Sequence, residues 1–286
     1  MNAQFWLIQI FNGISYGALL FLLGAGLSLI FGVMRIVNLA HGSYFMLGGY
    51  VALTVIWTTG SWLLALPVAA LAIALVGLLM ERIFLRPLGF DPLRQVLLTV
   101  GFAFLFQQAA LDIWTGNNFD ITPPPALAQS VVVGGIHLPL YRIFMIAMAA
   151  VIGIVLWLVM ENTRVGAMVR ATVDDAQMAR GVGIDTSRIS MAIFALGAFL
   201  AALGGVIGGA FLGVYPGLDF EILPLAFAVV IIGGMGSLGG AAIGALAVGL
   251  ADNFGKALFP EISYFTLYAP MVLILAIKPT GLFGRE

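Results

Sequence analysis

The side chains able to do chemistry in this sequence are few, and their spacing argues against catalysis. Histidine occurs only at His41 and His137, neither within H-E-x-x-H nor beside a second ligand at helical spacing, so a metal site is not expected. Asp174 and Asp175 form the one adjacent carboxylate pair, but neighbours on a helix point about 100° apart and do not share a reacting group. No G-x-S-x-G elbow offers a nucleophilic serine, and the absence of cysteine removes thiolate chemistry and Cys-based metal sites. Gly234-Met235-Gly236-Ser237-Leu238-Gly239 satisfies G-x-G-x-x-G, yet that fingerprint binds a dinucleotide only where a strand turns into a helix. Here both flanks are apolar enough for a membrane, so the glycines read as a helix break or a close-packing site. The chain has no P-loop, so any coupling to ATP must come from a partner. Titratable groups near lipid are limited to His41, Asp112 and Asp252, each close to a span end, which favours a conduit whose energy enters elsewhere.

The elements that hold these residues are set by composition. With 62% hydrophobic and 9% charged residues, the chain cannot cover a water-facing surface, and it is expected to be an all-α polytopic membrane protein. A formal net charge of -1 gives no basic footprint for nucleic acid. About eight transmembrane helices are expected: Phe5 to Gly32, Val37 to Trp57, Trp62 to Met80, Val96 to Trp114, Arg142 to Met160, Ile189 to Leu212, a broken or re-entrant segment near 222–256, and Ile262 to Ile277. The N-terminus lacks a basic n-region and reads as the start of the first span. Polar groups within spans are costly and turn inward, which makes Asn12, Tyr16, Asn38, His41 and Gln107 candidates for the lining of a substrate path. Helix-helix hydrogen bonds use the same residue types. Asn38 reads equally as a side-chain cap for the second span. Gly204 and Gly208 in the sixth span, with Gly233, Gly234, Gly236 and Gly239 after it, are packing or break positions.

One stretch stands apart. Glu161 to Arg188 carries Glu161, Arg164, Arg170, Asp174, Asp175, Arg180, Asp185 and Arg188 in an otherwise oily chain. A helix over Val165 to Ala179 puts Val165, Met168, Val169, Thr172, Val173, Ala176 and Ala179 on one face and Arg170, Asp174 and Gln177 opposite. Such a helix docks a partner, rests on headgroups, or is a solvated linker. The positive-inside rule places the basic loop Glu81 to Gln95 and the stretch Glu161 to Arg188 in the cytoplasm, and the lysine- and arginine-free loop Thr115 to Leu140 outside. Lys278 and Arg285 favour a cytoplasmic C-terminus while Arg35 puts the N-terminus outside, which conflicts with an even span count unless Ile222 to Lys256 is doubled or re-entrant. No internal repeat is visible.

Four segments carry a resemblance: VNLAHGSYFMLGGY at Val37 to Tyr50, VGAMVRATVDDAQMARGVGID at Val165 to Asp185, VVIIGGMGSLGGAAIGAL at Val229 to Leu246, and KPTGLFG at Lys278 to Gly284. On these the chain resembles the permeases of the branched-chain amino acid ABC importers, the first of the two permease types. The resemblance implies a single transmembrane permease domain over residues 1–286 in the bacterial inner (cytoplasmic) membrane, working with a second permease subunit, two ATPase subunits and a periplasmic or extracellular substrate-binding protein. It implies no cofactor in this chain, since ATP and magnesium belong to the ATPases. Residues 161–188 become the cytoplasmic coupling-helix loop, with Val165, Met168, Arg170, Thr172, Asp174, Asp175, Ala176, Ala179, Arg180 and Gly183 as its candidate coupling residues. The loop follows the acidic-alanine-glycine order of importer coupling loops and lacks their later Leu-Pro. Related permeases handle urea, short amides or small organic acids, and the alternative from another class is a stand-alone secondary transporter.

Overall fold

The computed structural model describes residues 3–89, 91–133 and 135–284. In chain order the helices are α1 (Ala3–Met34), α2 (His41–Thr59), α3 (Trp62–Met80), α4 (Pro92–Trp114), α5 (Leu140–Asn162), α6 (Arg164–Asp174), α7 (Ala176–Gly181), α8 (Thr186–Leu212), α9 (Leu218–Gly233), α10 (Leu238–Leu258) and α11 (Ser263–Ile277). A hairpin of β1 (Ser130–Val133) and β2 (Ile136–Pro139) interrupts the outer loop, with Val132 opposite His137. Among the described residues, six helices are long and apolar enough to cross a membrane: α1, α3, α4, α5, α8 and α10, α3 continuing to Leu88. The chain is an all-α polytopic membrane protein.

Burial explains how so apolar a chain is arranged. α1 and α8 occupy the centre and are mostly buried, whereas α3, α4 and α5 show lipid a face of large apolar side chains, including Leu71, Leu75, Leu97, Leu105, Ile154 and Trp157. Association in lipid depends on close packing rather than on hydrophobicity, and α8 supplies it with glycines. A methyl group on Gly205 would sit 1.9 Å from the Phe45 carbonyl oxygen, and one on Gly208 would sit 2.5 Å from the Phe45 ring. Gly204 lies against the same ring, at 3.3 Å.

The glycine-rich segment is broken where its composition points. α9 ends at Gly233, α10 starts at Leu238, and Gly234 and Gly236 between them have φ of 101° and 82°, conformations open mainly to glycine. A methyl on Gly239 would meet no other atom within 4 Å beyond its own helix backbone, so the close contact belongs to its neighbour: a methyl on Gly240 would lie 2.1 Å from the Gly233 carbonyl oxygen. A helix, α9, rather than a strand leads into α10, so the dinucleotide motif lacks its structural context. Instead the KPTGLFG segment seals the break, Leu282 N–H and Phe283 N–H each donating at 3.0 Å to the carbonyls of Ile232 and Gly233.

α9 and α10 are thus the two parts of the broken segment expected near 222–256, and of the two α10 is long and apolar enough to cross a membrane. α10 runs antiparallel to α1, with Gly236 against Gly32 at one end and Asn253 Nδ2 donating to the Gln9 carbonyl at 2.8 Å at the other. The first turns of α1 and the Leu282 to Gly284 segment consequently lie at opposite ends of the bundle, in accord with termini on opposite sides. Arg285, one of the two charges used to place the C-terminus, lies outside the described residues.

Two expectations need correction. Glu81 to Gln95 is not a loop over most of its length: the α3 helix goes on through a π-helical turn, Glu81–Leu85, and a tight turn, Arg86–Leu88, with Glu81 and Leu85 buried. Asn38 does not cap α2. The helix starts after Ala40, whose N–H donates to Asn38 Oδ1 at 3.1 Å, so the asparagine closes a turn ahead of the helix.

Candidate substrate pathway and coupling surface

The five candidate pathway residues separate into two places. Asn38 and His41 belong to a polar junction inside the bundle. After α1 the chain turns at Arg35 (φ 55°) and re-enters the protein in extended form, burying Ile36, Asn38 and Ala40 before α2 begins. His41 is fully buried, its Nε2 3.0 Å from the Leu23 carbonyl, which places the head of α2 some way down α1, about 16 Å from its end. A helix start at membrane depth is tolerated only where protein covers it.

The cover is the head of α9. Ser43 Oγ donates to Asp219 Oδ2 at 2.8 Å, and a methyl on Gly42 would lie 2.3 Å from the Asp219 carbonyl. The first turns of two helices thus meet inside the bundle, and the Asp219 carboxylate sits where both present their positive dipole ends. Gln107 on α4 points toward the same region, its Nε2 near Gly217, the residue before α9. Asp219 and Ser43 were not singled out from the sequence, because the contact joins segments 176 residues apart.

Asn12 and Tyr16 lie elsewhere, at the end of the bundle remote from α6. There the ends of α1, α5, α8 and α10 enclose a partly open pocket of about 240 Å³. Arg142 Nη1 donates to Asn12 Oδ1, and its guanidinium lies 4.8 Å from the centroid of the Phe211 ring. Lys256 Nζ pairs with Asp252 Oδ2 at 2.8 Å and stands 5.7 Å from the Tyr16 ring centroid. Near this mouth Tyr215 donates its hydroxyl to Glu221 Oε2 at 2.7 Å, and burial together with that carboxylate pushes the phenol up to about 12. Among the described residues, His, Asp and Glu side chains do not gather in groups of three that could hold a metal ion.

At the opposite end, the expected helix over Val165 to Ala179 is two helices. α6 stops at Asp174, Asp175 adopts an extended conformation, and its Oδ1 accepts from Gln177 N–H at 2.8 Å and Met178 N–H at 2.9 Å to start α7. An aspartate that can satisfy two orphan amides favours a new N-terminus over helix continuation. α6 packs on α5, α1 and α8 through Gly166, Val169 and Thr172, and a methyl on Gly166 would meet the Met160 carbonyl at 2.1 Å. Met168 and Ala176 are half-buried and Ala179 is buried.

Several candidate coupling residues therefore hold the loop in shape. Arg170 donates to the Met160 carbonyl and lies 3.7 Å from Glu161 Oε2, tying α6 to the end of α5 instead of reaching outward. Arg180 bonds the Ala176 carbonyl at 3.0 Å, and Gly183, at φ 89°, makes the turn that ends α7. Among its exposed charges the loop also shows three large apolar side chains outward: Val165 is 50% exposed, Met178 68% and Val182 73%. Met178 and Val182 fell outside the amphipathic pattern because that pattern assumed one continuous helix.

A family model described as the permease component of the branched-chain amino acid transport system matches residues 9–275. The high-affinity branched-chain amino acid transport system permease protein LivH of Escherichia coli K12 is 33% identical across 100% of this chain and 98% of its own length. The corresponding permease BraD of Pseudomonas aeruginosa is 28% identical over 98% of this chain and 96% of its own. LivM of Salmonella typhimurium, a permease protein of such a system, is 27% identical over 91% of this chain and 67% of its own. No solved structure matches. With the match running from the first turns of α1 into α11, the chain belongs to the family of branched-chain amino acid transport permeases.

Proposed function

We propose that this chain is a permease subunit of an ABC importer in the cytoplasmic membrane, forming part of the path for branched-chain or related small amino acids. The observation that carries the reading is the end-to-end match to LivH, whose length the chain covers almost completely. The chain itself is not an enzyme; two partner ATPase subunits bind ATP and magnesium and hydrolyse the nucleotide. A second permease subunit of the LivM kind completes the path, and a soluble binding protein delivers substrate. Residues 161–188 are the coupling loop. Val165, Met178 and Val182 enter a cleft of the ATPase, while Gly166, Val169 and Thr172 pass its movement to α1, α5 and α8. The junction of the α2 and α9 heads is the element that rearranges, because two helix starts that meet inside the bundle re-aim with less disruption than one continuous span. Asn38, His41, Ser43, Gln107 and Asp219 line the path there.

Reconstitution tests this. Liposomes holding the chain with its ATPase, second permease and binding protein take up leucine only with internal or external ATP at the nucleotide side. Substrate flux driven by an ion gradient through this chain alone would replace the reading with a stand-alone transporter. ATP-dependent uptake of urea, a short amide or a small organic acid in place of leucine would keep the importer and change its cargo.

A further inference from the structure

The pocket between the ends of α1, α5, α8 and α10 holds an arrangement that fold and charge rules do not require. Two cations, Arg142 and Lys256, converge on it from the half of the protein whose long loop, Thr115 to Leu140, has no lysine or arginine. Positive charge is otherwise concentrated at the α6 end, as the positive-inside rule expects. Each cation is braced by an aromatic ring, Arg142 by Phe211 and Lys256 by Tyr16. Asp252 is the carboxylate in the lining, so cations exceed anions by one, and the nearby Glu221 is occupied by the Tyr215 hydroxyl. Asn12 takes one of the five N–H donors that a guanidinium offers.

We infer that this pocket is a docking station for the carboxylate of a small amino acid at the outer mouth of the path. The Arg142 fork receives the carboxylate, which suits its planar geometry, and Lys256 supplies the second positive charge. Asp252, freed in part from Lys256, accepts the ligand's ammonium, and Phe211 and Leu212 face its aliphatic side chain. A volume of about 240 Å³ lies below the ~300–1,000 Å³ of drug-sized sites and admits a single small molecule. The station is separate from the α2 and α9 junction: Asn12 precedes Leu23, which contacts His41, by about 16 Å along α1. The inference rests on the importer reading for its choice of an amino acid.

The test is equilibrium binding of labelled L-leucine to the assembled permease and ATPase complex without its binding protein, with L-leucinamide and 4-methylpentanoate as competitors. Leucinamide, lacking the carboxylate, is expected to compete at least about tenfold more weakly than leucine. Arg142→Gln and Lys256→Met are each expected to weaken leucine binding by about tenfold to a hundredfold, the loss of a charge-assisted hydrogen bond, with Arg142→Lys recovering part. Equal competition by leucinamide, or unaltered binding in both substituted proteins, overturns the station, and the first of these needs no variant to fold. Absence of ATP-dependent leucine uptake by the unaltered complex supplied with its binding protein instead overturns the importer reading. In that case 4-methylpentanoate, titrated directly against the chain with and without Arg142→Gln, still decides whether the pocket takes carboxylates.

Discussion

α8 and the α6–α7 loop are consecutive in the chain and opposite in construction. α8 is surrounded: its small residues exist because the backbones and rings of α1, α2 and α3 approach too closely for anything larger. α6 and α7 are packed on one side only, stopped and started by side-chain caps at Thr163 and Asp175, and they leave Val165, Met178 and Val182 largely exposed. The difference separates two kinds of requirement on sequence. In α8 a residue is fixed by what its neighbours exclude, and in the loop by what a backbone amide needs or by what an outside surface would receive.

Substitutions ordered by their effect on stability expose that difference. Gly205→Val places two branches where even one methyl would stand 1.9 Å from the Phe45 carbonyl, so the α2–α8 crossing must open. Overpacking of this kind costs about 1–3 kcal/mol or more, and the expected result is aggregated protein on size-exclusion chromatography in detergent. A monodisperse protein with unchanged melting would mean that α8 is as tolerant as the loop. Next is Ser43→Ala, which strips the buried Asp219 carboxylate of its hydroxyl partner and costs about 1–3 kcal/mol. Asp219→Asn in the same background should recover part of the lost melting temperature, since a neutral amide at that depth is less penalised. Asp175→Ala removes the α7 cap and costs about 1 kcal/mol, confined to residues 175–181. Hydrogen exchange should rise there and leave α8 protected; protection lost throughout α8 would show that the two regions fold as one unit.

The same contrast explains what sequence reveals. The membrane class, the break at Gly233 to Leu238 and the boundaries of the charged loop are local and compositional, so they are legible residue by residue. The division at Asp175 is not, because an alanine-rich segment with apolar residues at helical spacing fits a continuous helix as well as a capped pair. Gly239 and Gly240 are indistinguishable in sequence for a similar reason: in a run of glycines only the approach of the Gly233 carbonyl sets apart the one that is needed. The pairing of Ser43 with Asp219, and the meeting of Arg142 with Lys256 at one mouth, depend on how distant segments pack. In the sequence Arg142 and Lys256 look like ordinary charges at the ends of spans.

The smallest effect on stability is expected to accompany a large effect on function. Val182→Asp and Met178→Glu alter side chains that are 73% and 68% exposed and lie outside the membrane core, so folding should change by no more than about 0.5 kcal/mol. If the loop docks into an ATPase cleft, each change buries an unpaired carboxylate in an apolar contact, which costs several kcal/mol at the interface. Co-purification of the ATPase should then fall at least about tenfold while the melting temperature of the isolated chain stays within a degree or two. Pairing unaltered melting with unaltered co-purification and transport would remove the coupling role from these residues and leave α6–α7 a solvated linker. Altered melting would instead show that the loop's outward face is held by this chain after all, and the contrast with α8 would fail.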